Sequence, residues 1–159
     1  MKHLRNLYMT LAAVIIFLPA LAQADGHGHH LNPVEHNIIG VQGYDLVSYH
    51  TNTGPVTGTN DHTSSYKGIT YLFANEANKK SFDANPAKYI PAYGGFCAYG
   101  VAVGKKFSGD PKVWEVVDGK LYLNLNKKVQ GLWSQDISGN ISKAQTNWPK
   151  IKGTKASDL

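Results

Sequence analysis

Val113-Trp114-Glu115-Val116-Val117-Asp118-Gly119-Lys120-Leu121-Tyr122-Leu123-Asn124 is the stretch on which the fold class turns. Valine and aromatic residues run up to Asp-Gly, and Leu121, Tyr122 and Leu123 follow it. Asp-Gly tolerates the positive φ angles of a two-residue turn whose twist matches that of paired strands, so the stretch predicts a β-hairpin. Working backwards, Tyr66-Lys67-Gly68-Ile69-Thr70-Tyr71-Leu72-Phe73 has the same character: Lys67-Gly68 can turn the chain, and Ile69, Tyr71 and Phe73 alternate with Thr70 and Leu72. Asn75 can accept a hydrogen bond from the first turn of a helix, and residues 76–84 lack Gly and Pro, so a short helix is expected there, ending before Pro86 with one more turn over 87–90.

Working forwards, Asn126 can cap a helix carrying Val129, Leu132 and Trp133 on one face. Asn140 can cap a last helix with Ile141, Ala144 and Trp148, closed by Pro149. Ile38 to Tyr49 reads as one strand and a turn, in which Asp45 hydrogen-bonds the backbone two residues on. Residues 50–65, rich in Thr, Asn, Gly and Ser, read as a surface loop containing His50 and His62. Pro91-Ala92-Tyr93-Gly94-Gly95-Phe96-Cys97-Ala98-Tyr99-Gly100 reads as irregular, and no internal repeat is evident. Hairpins and helices without regular βαβ alternation predict a small α+β fold, with an antiparallel sheet packed by short helices. Tyr66, Tyr71, Phe73, Phe82, Tyr89, Tyr122 and the tryptophans are its expected core.

A chain of 159 residues with 42% hydrophobic and 17% charged residues is a folded domain rather than a disordered one. Residues 1–24 read as a secretory signal peptide: Lys2 and Arg5, an apolar run from Leu7 to Leu21, then Ala-Gln-Ala. Cleavage after Ala22 or after Ala24 is consistent with the small residues there. The expected destination is periplasmic or secreted, with nothing left embedded in a membrane. Without Lys2 and Arg5, 14 lysines face 11 acids and no arginine remains, which argues against a nucleic-acid partner. Met1 and Met9 leave with the leader, so thioether ligation of Cu(I) is excluded. Residues 25–37 read as a flexible histidine-rich arm, 38–150 as the domain and 151–159 as a tail.

Two places carry donor chemistry. If cleavage follows Ala24, the amine of Asp25, the amide nitrogens of Gly26 and His27 and the His27 imidazole form a four-nitrogen set that suits the tetragonal preference of Cu(II) or Ni(II). If it follows Ala22, only the looser cluster of His29, His30 and His36 remains. The lone Cys97 is either a soft-metal ligand or reactive thiolate in a pocket of Tyr93, Phe96 and Tyr99, or a buried thiol acting as a small hydrophobe. His50 or His62 could complete a site with it. Hydrolase, phosphate-loop and zinc-protease motifs are absent, so a non-enzymatic protein is expected.

Gly43-Tyr44-Asp45-Leu46-Val47-Ser48-Tyr49, Tyr66-x-Gly68-x-x-Tyr71-x-Phe73, Phe82-x-x-x-Pro86-x-x-Tyr89 and the segment 91–100 together resemble the YHS domain family, in its exported single-domain bacterial branch, over roughly residues 40–125. The resemblance implies a small α+β module akin to treble-clef metal modules, found with heavy-metal transporters and described as metal-binding. The metal-associated branch has cysteines at the strand-to-helix corner, where this chain has Ala74-Asn75-Glu76-Ala77-Asn78, and only Cys97 matches a cysteine of the exported branch. The function expected is capture or buffering of a transition metal, copper favoured with zinc or nickel as alternatives, through Asp25, Gly26, His27, His29, His30, His36 and Cys97, with a periplasmic protein as a further partner. The competing expectation is a thiol-dependent redox or small-ligand-binding protein acting through Cys97.

Overall fold

The computed structural model describes residues 38–51 and 53–159. The chain is an α+β protein. A three-stranded sheet has the order β1-β3-β2: β1 (Ile38–Ile39) runs parallel to β3 (Ile69–Phe73), and β2 (Thr59–Tyr66) antiparallel to it. A separate hairpin joins β4 (Asp110–Val117) to β5 (Lys120–Asn124). Helices α1 (Glu76–Ala84), α2 (Pro86–Tyr89), α3 (Ala98–Ala102), α4 (Lys127–Ser134) and α5 (Ile137–Ile151) cover these sheets.

Both predicted hairpins form, and by the same device. Lys67 and Gly68 have φ of 52° and 75°, Asp118 and Gly119 have 49° and 74°, the left-handed pair that matches strand twist. The predicted loop over 50–65 differs: β2 begins at Thr59 and is largely exposed, with a register shift between Thr59 and Thr63. Its Thr and Ser side chains read as loop because an edge strand is held by backbone hydrogen bonds, which need no apolar face. The segment 91–100 is also more ordered than expected, forming a turn over Ala92–Gly95 and then α3.

Asn75 and Asn126 cap α1 and α4 as predicted, their Oδ1 atoms accepting from Asn78 N at 2.8 Å and Val129 N at 2.9 Å. The last helix starts earlier than its sequence suggested. Asp136 is its cap, accepting from Gly139 N at 2.9 Å. Asn140 is instead buried inside it, donating Nδ2 to Trp133 O at 3.1 Å. Pro149 does not end α5, which continues to Ile151, and the Lys152 N–H still reaches Trp148 O at 2.9 Å.

The chain contains a repeat that its sequence conceals. Val41, Gln42 and Gly43 have φ of 49°, 53° and 82°; Tyr93, Gly94 and Gly95 have 55°, 64° and 83°. After each left-handed turn the chain makes equivalent backbone bonds. Asp45 N donates to Val56 O and Cys97 N to Phe107 O, both at 2.8 Å. Gly58 N donates to Gly43 O at 2.8 Å, and Gly109 N to Gly95 O at 3.2 Å. Bridges Tyr44 to Thr57 and Phe96 to Ser108 occupy matching places. Each unit then has a hairpin, an Asn-capped helix with a buried aromatic (Phe82 in α1, Trp133 in α4) and a second helix. The residues that start those second helices, Asn85 and Asp136, have φ/ψ of −155°/74° and −154°/74°. Identical side chains are few across the pairs, because backbone geometry tolerates wide side-chain change as long as apolar positions, turn glycines and caps persist.

Two cores result. One gathers Leu46, Tyr49, Tyr71, Phe73, Phe82 and Tyr89; the other gathers Tyr93, Val101, Tyr122, Trp133, Ala144 and Ile151. Strand β5 joins them. Leu121 and Leu123 enter the first core and Tyr122 the second, since alternate residues of a strand face opposite sides. Of the other aromatics expected in the core, Tyr66, Trp114 and Trp148 are only partly buried.

Candidate functional site

Cys97 and Asp45 sit at matching positions, two residues after the left-handed turn of each unit. In the first unit the Asp45 carboxylate is fully buried and saturated. Oδ1 accepts from Val47 N at 2.8 Å and Ser48 N at 3.3 Å, and Oδ2 from Ala74 N at 2.9 Å and Asn78 Nδ2 at 2.6 Å. It ties the start of the unit to the corner between β3 and α1. This is the structural role expected for the Asp-turn, extended by a long-range pair of bonds that no local signal announces.

In the second unit Cys97 does a similar task with sulfur. Its Sγ accepts from Gly100 N at 3.3 Å, capping α3, and its thiol donates to Asn124 Oδ1 at 3.6 Å. Asn124 Oδ1 also accepts from Tyr99 N at 3.2 Å. Cys97 and Asn124 are both fully buried, and the Asn124 Nδ2 has no hydrogen-bond partner among the described residues. The sequence left the thiol either in a pocket of Tyr93, Phe96 and Tyr99 or buried as a small hydrophobe. In the fold, Gly94 and Gly95 serve the left-handed turn, and the sulfur faces inward to the last residue of β5.

The two loop histidines are elsewhere. His50 stacks edge-on against Tyr89, ring centroids 5.3 Å apart. Burial first, and then the Lys88 and Lys120 cations, hold its pKa below the usual imidazole value. His62 Nδ1 lies 3.4 Å from Glu76 Oε2. Among the described residues no group of three or more His, Cys, Asp or Glu could hold a metal ion. Asp25, Gly26, His27, His29, His30 and His36 lie outside the described residues. Among those described, no helix is long and apolar enough to cross a membrane.

One concavity was not foreseen from the sequence. It is an apolar cleft of about 460 Å³ beside the first left-handed turn, lined by Ile39, Val41, Ile69, Tyr71 and Ile90 with Lys67 and Lys120. Burial lowers the pKa of Lys120. These residues come from four separate stretches of chain, so only the folded chain assembles them.

Residues 47–93 match the family model of the YHS domain, a family associated with metal-related proteins. The match runs from four residues past the left-handed turn of the first unit to the turn that opens the second. No curated protein and no solved structure matches the chain.

Proposed function

We propose that this YHS-domain chain is an exported, non-enzymatic protein that captures or buffers a transition-metal ion, copper favoured over zinc and nickel, through its amino-terminal donors. The observation that carries this reading is Asp25-Gly26-His27 behind a small-residue cleavage site. An amine, two amide nitrogens and an imidazole supply four in-plane nitrogens once Asp25 is the first residue, and His29, His30 and His36 add neighbouring imidazoles. The metal association of the family supports it in general terms. The hydrogen-bonded, buried state of Cys97 supports placing the donors on the arm rather than on the thiol, and for the same reason gives less support to a thiol-dependent function. Periplasmic or secreted placement follows from the leader.

The test is titration of the untagged secreted protein with Cu(II), after intact mass has fixed its first residue. One equivalent is expected to give a visible d–d band that His27→Ala abolishes and Cys97→Ser leaves alone. A band that survives His27→Ala, or no uptake of copper, nickel or zinc, refutes the reading.

A further inference from the structure

The repeat supplies its own template for the apolar cleft of the first unit. In the second unit the corresponding cleft lies beside Pro91, Tyr93, Lys120 and Tyr122, the counterparts of Ile39, Val41, Ile69 and Tyr71. There α5 lies over it and lines it with Ile141, Gln145 and Trp148. Trp148 packs on Tyr93 at 5.9 Å and Phe96 at 6.1 Å between ring centroids.

The first unit begins the same helix and loses it. Asn85 and Asp136 start α2 and α5 with matching backbone angles, yet α2 has four residues where α5 has fifteen. The cause is local. Pro91 disfavours helical geometry at Ile90, which is extended at ψ 128°. The residues that would have continued α2 are used instead for the turn that opens the second unit. The cleft therefore keeps the floor of a helix-binding groove and lacks the helix. Ile38 and Ile39, on its rim, are 63% and 49% exposed. Its charged lining is cationic, Lys67 and Lys120.

We propose that the cleft of the first unit docks an amphipathic helix of a partner protein, which seats an aromatic anchor on Val41 and Tyr71 and sets carboxylates opposite Lys67 and Lys120. The apolar anchor is what α5 presents to the equivalent groove through Trp148, and the acidic flank is what two lysines at an apolar rim select. This inference is independent of the metal reading, since neither Cys97 nor residues 25–36 take part.

The test uses the full chain and a fluorescent peptide of residues 137–151 carrying Lys143→Glu and Lys150→Glu, which keeps the Ile141 and Trp148 anchors and supplies the acids. Saturable binding is expected, weakened about tenfold or more by Ile39→Glu in the protein or by Trp148→Ala in the peptide. Lys67→Glu with Lys120→Glu should weaken it similarly, and the peptide with its native lysines should recover the loss. Val103→Glu, on an exposed apolar residue outside the cleft, should change nothing. Absence of saturable binding, binding indifferent to Ile39→Glu, or a cleft that takes up decanoate while excluding the peptide overturns the proposal.

Discussion

Replacing Asp45 by Asn removes one oxygen and one charge and leaves the volume almost unchanged, so its effect isolates the bonds made by the carboxylate. Four N–H groups converge on it, two at each oxygen. The asparagine can keep its oxygen toward Val47 and Ser48 only by turning its own NH2 against Ala74 N and Asn78 Nδ2, or the reverse. Two charge-assisted bonds are lost either way. At about 1.5–3 kcal/mol each, the expected loss is roughly 3–6 kcal/mol, a large share of the stability of an ordinary domain. Urea unfolding followed by tryptophan fluorescence should show the midpoint falling by about 2 M at an ordinary slope. Asn78→Ala, which removes one of the four donors, should cost about 1–2 kcal/mol. A change below about 1 kcal/mol for Asp45→Asn would refute the claim that this carboxylate fastens the unit to its helix corner.

The repeat predicts paired effects. A Cβ at Gly58 would overlap the Leu72 backbone, and one at Gly109 the Gly95 carbonyl oxygen and Leu123 Cβ, so Gly58→Ala and Gly109→Ala should each lower stability by about 1–3 kcal/mol in the same assay. Cys97 should resist a thiol-specific reagent in native protein and react once unfolded; Cys97→Ser, which keeps an acceptor for Gly100 N, should cost less stability than Cys97→Val. Stability should also fall at both ends of the pH scale. Burial lifts Tyr93 from 10.0 to about 12, so the unfolded chain loses that proton first and stability declines between those values. His50, held below 6.5, takes up its proton more readily unfolded, so stability declines as pH drops through and below 6.5. Unfolding curves across pH should show the acid limb flatten in His50→Gln and the alkaline limb flatten only in part in Tyr93→Phe, because burial also raises Tyr49, Tyr71 and Tyr122.

Local chemistry made much of the fold legible. Asp118-Gly119 and Lys67-Gly68 announced their hairpins, Asn75 and Asn126 their helices, because turns and caps are decided within four residues of chain. Where two residues competed for one task, the sequence did not separate them: Asn140 and Asp136 are both good caps, and burial of Asn140 against the Trp133 carbonyl settled the choice. The repeat was missed because matching residues such as Asp45 and Cys97 differ in kind while sharing a backbone role. Signals did exist, in Val56-Thr57-Gly58 against Phe107-Ser108-Gly109 and in the spacing of Gly68 and Gly119 to their helix caps.

The amino-acid sequence by itself determined the α+β class and the two hairpins, since composition, turn chemistry and residue type are properties of short stretches. Only the tertiary structure decided that Cys97 is enclosed by Asn124 and Gly100, that two units share β5, and that Val41, Tyr71, Ile90 and Lys120 border one cleft. Those outcomes depend on residues far apart in the chain being brought together by burial of the two cores, a collective event that no local pattern encodes.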